Sequence, residues 1–380
     1  MTMTEFDRRI DRSGTSSAKW DKYQGRDVLP FWVADMDFEA PGFLLDALRA
    51  RIEHPIFGYT RIPSGLVAAF QSWLERNYHW PVPEEWLVWI PGVVTGLNLA
   101  AMATAQPGGG VLIPTPVYYP FRSVPANADQ RAIEVPMARD GDRWVMDIDA
   151  LEAAADADTR ILMIANPQNP TGRVHDLAEL QELAAFAARR GLVICADEIH
   201  CPILLDRQAS HRPIASLDTE IALRSISLYA ATKAYNVPGL SCAVAVIPDA
   251  GLRRRFNQAR RDLTPSIGPL AHAASEAAFN DQSGWLERLL AYLRGNHERV
   301  LAVAGPRMTP VEGTYLAWID VRDLGLADPG AHFERFGLGL SDGAAFGGPG
   351  FVRFNFGCPR PLLEEGLARF SAAIEGAQTA

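Results

Sequence analysis

Between Gly108 and Pro248 the chain repeats one pattern, a short apolar run followed by an amphipathic stretch and then another apolar run. Strands with one wet face alternate apolar and polar residues, whereas strands covered on both faces are apolar throughout. Residues 111–113, 131–135, 161–164, 192–195, 226–229 and 243–247 therefore read as strands, most of them covered on both faces. Between two of them, residues 176–190 place Leu177, Leu180, Leu183, Ala184 and Ala187 on one helical face. Asp176 is the expected cap of that helix and Gly191 its stop. Such alternation predicts an α/β, doubly wound domain.

The pattern changes after position 248. Residues 252–261, 270–279 and 285–303 read as helices, 315–320 and 351–356 as half-buried alternating strands, and 361–374 as a closing helix. At 380 residues the chain exceeds what one core usually serves. The expected division is an N-terminal segment at 1–40, a large domain at 41–283, and a smaller α+β C-terminal domain at 284–380 against which the N-terminal segment packs.

A formal net charge of −9 argues against nucleic-acid binding, which needs a basic face. The arginines at 253–255 and 260–261 recur at helical spacing and read as a solvated face. Cys195, Cys201, Cys242 and Cys358 form no C-x-x-C pair and no cluster with histidine, so no metal is expected. No apolar run reaches about 18 residues, which argues against a membrane span. The first residues lack the apolar core of a signal peptide, and a cytoplasmic location is expected.

Chemistry gathers after the apolar runs. Asn166-Pro-Gln-Asn-Pro-Thr-Gly172, Ala196-Asp-Glu-Ile-His200 and Tyr229-Ala-Ala-Thr-Lys-Ala-Tyr-Asn236 each follow one. Lys233 lies 36 positions after Asp197 (233 − 197), and Asp197 lies 28 after Asn169 (197 − 169). A lysine, an acid and an amide at strand ends in this order suggest a pyridoxal phosphate site. Lys233 would hold the aldehyde as a Schiff base and serve as a base, and Asp197 would keep the pyridine nitrogen protonated. Asn169 would donate to the ring's phenolic oxygen. Tyr118 would stack on the ring, with Tyr119 as its rival. Pro91-Gly-Val-Val-Thr-Gly-Leu97 opens a helix whose free first amides, around Val93, Val94 and Thr95, would form an anion site for the phosphate, with the Thr95 hydroxyl offered as well. Arg353 is the expected bidentate clamp on a substrate carboxylate.

Together these residues resemble the fold-type I aminotransferase superfamily, and within it the MalY/PatB-type C–S β-lyases. The entry segment carries the closer part of the resemblance, with Phe6-Asp-Arg8, Lys19-Trp-Asp21 and Phe31-Trp-Val-Ala-Asp-Met-Asp-Phe38. Phe57-Gly-Tyr-Thr60, Pro116-Val-Tyr118, Thr232-Lys-Ala-Tyr-Asn236 and Gly313-Thr-Tyr-Leu316 follow in family order. The resemblance implies a mostly parallel seven-stranded sheet between helices and a homodimer with shared active sites. Tyr59 would reach the phosphate of the neighbouring subunit's cofactor. Trp32 and Ala34 would line the substrate side, Thr232 would offer its hydroxyl to the phosphate, and Asn169 would also face the substrate. His200 stands where many aminotransferases have a tyrosine on the phenolic oxygen, with packing as the alternative. Gln168, His175 and the run Ala230-Ala-Thr232 depart from the usual pattern.

The implied reaction is cleavage of an L-cysteine thioether such as cystathionine to thiol, pyruvate and ammonia. Transamination of a small amino acid substrate is the nearest alternative. A lyase for a specialised cysteine conjugate or sulfoxide, and a regulatory protein on an enzyme scaffold, are the others.

Overall fold

A computed structural model describes residues 4–378; positions 1–3 and 379–380, at the outer ends of the expected first and last domains, lie outside the described residues. The large sheet has seven strands: β1 (Leu87–Ile90), β2 (Gly110–Thr115), β3 (Arg131–Pro136), β4 (Thr159–Ala165), β5 (Val193–Asp197), β6 (Ser225–Tyr229) and β7 (Ala243–Val246). Their order is β1-β7-β6-β5-β4-β2-β3, with β7 antiparallel to both its neighbours and the other pairings parallel.

The continuous apolar runs have the predicted cause. In β7, Val244 and Val246 join one core while Ala243 and Ala245 join another on the opposite face. β3 departs from the rule, being largely exposed because it is the edge strand. β1 escaped the sequence reading: four apolar residues ahead of Pro91-Gly92 are too short to show a period.

The helix Leu177–Arg190 begins and ends as expected, with the Asp176 side chain accepting from the Glu179 amide and Gly191 at φ 66°. Leu177 is a correction. It is 46% exposed, because core contact begins one turn later at Leu180. The strands Leu316–Asp320 and Phe351–Asn355 are not half-buried but almost wholly buried. Their second face is covered by aromatic packing, with Trp318 and Phe351 stacked at 5.1 Å beside Phe346. The N-terminal segment binds C-terminal elements. Leu29–Pro30 pairs in parallel with Leu338–Gly339, and Tyr292 donates to Asp7 at 2.7 Å.

Candidate active site

Parallel strands deliver side chains at their carboxyl ends, and five of them do so here. After β1 come Pro91, Gly92 and the first turn of the helix Val93–Thr104; after β2, Tyr118. Asn169 follows β4, Asp197 ends β5, and Thr232 and Lys233 follow β6. Val93, Val94, Thr95, Tyr118, Asn169, Asp197, His200, Thr232, Lys233 and Ala34 all line one cavity of about 390 Å3. A second cavity of about 450 Å3, lined by Trp32, Tyr119, Phe346 and Arg353, adjoins it. Ala34, Tyr118 and Lys233 line both.

Burial pushes the Asp197 carboxyl up to about 7, against the opposing pull of a hydrogen bond from the Ile199 amide (3.1 Å) and the charge of Lys233. Lys233 is half-buried and donates from Nζ to the Ala34 carbonyl at 2.6 Å. Burial first, then the charge of Arg353, pull its amine down to about 8, so near pH 8 about half of these amines are neutral.

Arg353 is 2% exposed and forms no ion pair among the described residues. Its Nη1 donates to Asn169 Oδ1 at 2.9 Å and its Nη2 to the Trp32 carbonyl at 2.7 Å, while its carbon lies 4.6 Å from the Phe346 ring centre. Burial lowers it only to about 10, so it stays cationic at neutral pH. A buried cation held by neutral acceptors favours an anionic ligand. Because a guanidinium only donates, Asn169 must turn Oδ1 to Arg353, which leaves its Nδ2 for the cavity. Arg353→Lys removes the planar fork and should lower kcat/KM about 10- to 100-fold, chiefly through KM, in steady-state assays.

One backbone segment, residues 32–36, spans both cavities. The Trp32 carbonyl accepts from Arg353 and from Ser341 Oγ (2.7 Å), and that of Ala34 from Lys233 and Tyr315 OH (3.0 Å). The Val33 and Asp35 carbonyls share Asn355 Nδ2 at 2.6 and 2.8 Å, and the Met36 carbonyl accepts from Asn236 Nδ2 at 2.9 Å.

Tyr118 is half-buried and walls both cavities, whereas Tyr119 is 51% exposed and lines only the second. His200 is buried, its Nδ1 without a partner among the described residues. Burial, with the charges of Lys233 and Arg353, holds its imidazole well below the usual range and therefore neutral. Tyr59 is fully exposed and outside both cavities, so this chain alone does not bring it to the others. Pro238, Ser241 and Cys242 line the first cavity and were missed. Their signal was the direction of β7: an antiparallel strand enters the sheet where its parallel neighbours leave it.

The residues present fit pyridoxal phosphate. Asp197, a buried acid with no ion pair among the described residues, suits a protonated ring nitrogen, and a lysine amine stands in the same cavity. The helix Val93–Thr104 has no side-chain cap, so its first amides remain for a phosphate.

The family model described as aminotransferase class I and II matches residues 33–370. The chain belongs to this family. Among the family's curated members, cystathionine beta-lyase PatB of Bacillus subtilis is 33% identical, over 97% of this chain and 99% of its own length. The crystal structure of OvoB superposes with a TM-score of 0.95 at 40% identity, covering 98% of this chain and 99% of that one. A PLP-bound C–S lyase from Staphylococcus hominis has a TM-score of 0.90 at 28% identity, with 98% of each chain covered. The mostly parallel central sheet is the fold-type I architecture expected of the class I and II aminotransferases. Among the described residues no helix is long and apolar enough to cross a membrane, and no three His, Cys, Asp or Glu side chains group as a metal site.

Proposed function

We propose that this chain is a pyridoxal-phosphate-dependent C–S β-lyase that converts an S-substituted L-cysteine and water to a thiol, pyruvate and ammonium. The observation that carries the reading is the pair of adjoining cavities, with Asp197 in one, Arg353 in the other, and Lys233 on both. When bound, the cofactor supplies an electron sink for the charge left at Cα after deprotonation. Asp197 holds the proton on the ring nitrogen, Tyr118 walls the ring, and the amides of Val93, Val94 and Thr95 with the Thr232 hydroxyl take the phosphate. Asn169 Nδ2 and neutral His200 serve the ring's phenolic oxygen.

Arg353 grips the substrate carboxylate, which fixes Cα beside Lys233, while Trp32 and Ala34 bound the substrate from the N-terminal segment. The neutral Lys233 amine takes the Cα proton, and the bond from Cβ to sulfur then breaks with its electron pair leaving on sulfur. Curated relatives named cystathionine beta-lyase and a neighbour named a C–S lyase support this outcome over transfer of the amino group. Transamination shares the first proton transfer and needs a keto-acid acceptor. Purified protein with S-alkyl cysteines should therefore release pyruvate without added keto acid; turnover only in the presence of a keto acid would refute the lyase reading.

The same reading takes the active form as a homodimer. Ile56, Phe57 and Tyr59 expose apolar side chains within four residues, a surface suited to a second subunit whose cofactor phosphate Tyr59 would meet. It keeps the division at 1–40, 41–283 and 284–380, with the second cavity between the parts. Four free, buried cysteines suit the cytoplasm.

A further inference from the structure

Asp197 and Glu198 are successive at the end of β5, so their side chains leave on opposite sides. Asp197 opens on the first cavity, whereas Glu198, 1% exposed, lies inside the protein. Oε2 of Glu198 accepts from Tyr229 OH at 2.5 Å and stands 3.0 Å from His211 Nε2, and Oε1 accepts from the Ile214 amide at 3.4 Å. His211 Nδ1 has no partner among the described residues, so Nε2 carries the proton that the carboxylate accepts. Tyr78 lies edge-on to His211 at 5.3 Å, and Cys201 completes the buried polar group.

This group is absent from the chemistry above, yet it is expensive. Burying an acid together with its polar partners is often no more favourable than packing apolar side chains of the same volume. Its placement explains its presence. Tyr229 is the last residue of β6, four before Lys233, and Glu198 is the residue after Asp197. We propose that Glu198 is a positioning residue: by fastening Tyr229 and the segment 211–214 to the end of β5, it sets the separation of Asp197 and Lys233 on the cavity side. The inference rests on the cofactor reading of that cavity.

The test uses the full-length, cofactor-loaded protein and two variants, Glu198→Gln and Tyr229→Phe. Wild-type protein comes first: without a visible absorption band that titrates with pH, the cofactor reading itself fails, whatever the variants do. Given that band, its pH midpoint reports the proton shared between Lys233 and the cofactor. Each variant should keep the band, shift its midpoint by at least about 0.5 pH unit, and lower kcat roughly 10-fold with KM within about two-fold. A lower melting temperature with midpoint and kcat both at wild-type values would assign Glu198 a structural role only and overturn the proposal. Should Glu198→Gln fail to fold, Tyr229→Phe, which removes one hydroxyl, decides alone.

Discussion

Lys233→Ala should yield protein that is colourless after dialysis and at least about 10⁴-fold slower in pyruvate release from an S-alkyl cysteine. The size follows from the loss of two tasks. The amine of Lys233 is the covalent attachment point, and its position on both cavities makes it the base for Cα. No other described side chain lining both cavities can replace it, since that of Ala34 is a methyl group and burial raises the Tyr118 hydroxyl far above neutral. Borohydride reduction of the wild-type protein followed by peptide mapping should place the label on Lys233, and a label on another lysine would refute the assignment. A variant retaining a tenth of wild-type turnover would do the same.

Asp197→Asn should separate function from stability. Without a carboxylate the ring nitrogen loses its counter-charge, and kcat should fall about 10³-fold, as expected when roughly 4 kcal/mol of charge stabilisation is removed. In the cofactor-free protein the same change should stabilise the fold. The folded pKa of Asp197, about 7, lies above its ordinary 3.8, so the folded state binds the proton more tightly. Its contribution to stability is therefore present below pH 3.8 and lost as pH rises through 7. Above pH 7 the penalty is on the order of 4 kcal/mol, which asparagine avoids. Lys233 has the opposite slope: its folded pKa of about 8 lies below 10.5, so its penalty is present below pH 8 and relieved as pH rises towards 10.5. Thermal melts of cofactor-free wild type and Asp197→Asn at pH 5 and pH 8 should show the variant's advantage growing with pH. An advantage that shrinks would contradict the buried-acid account.

The parts of this site visible in the sequence are those that strand ends dictate. Asn169, Asp197 and Lys233 each follow a continuously apolar run, and Arg353 sits within the strand Phe351–Asn355. The resemblance pointed to Trp32, Ala34 and nearby backbone on the substrate side, but which donors the carbonyls of residues 32–36 meet was invisible, because a backbone acceptor carries no residue signature. The Glu198 cluster was hidden by distance, its partners lying 13 and 31 positions along the chain. β1 was lost through brevity. Tyr118 and Tyr119, equivalent as neighbours in sequence, separate only when the turn after β2 directs one inward.

The segment at 32–36 has a mechanical consequence. It joins the guanidinium that would receive a carboxylate to the amine that would receive a proton, using the Trp32 and Ala34 carbonyls two residues apart. The chain bends at Val33 and Ala34, and only two peptide units separate the two carbonyls, so this short link fixes the gap from anchoring group to base. A lever acting on the C-terminal half therefore cannot loosen the grip on one end of an amino acid without also retiming the proton transfer at the other.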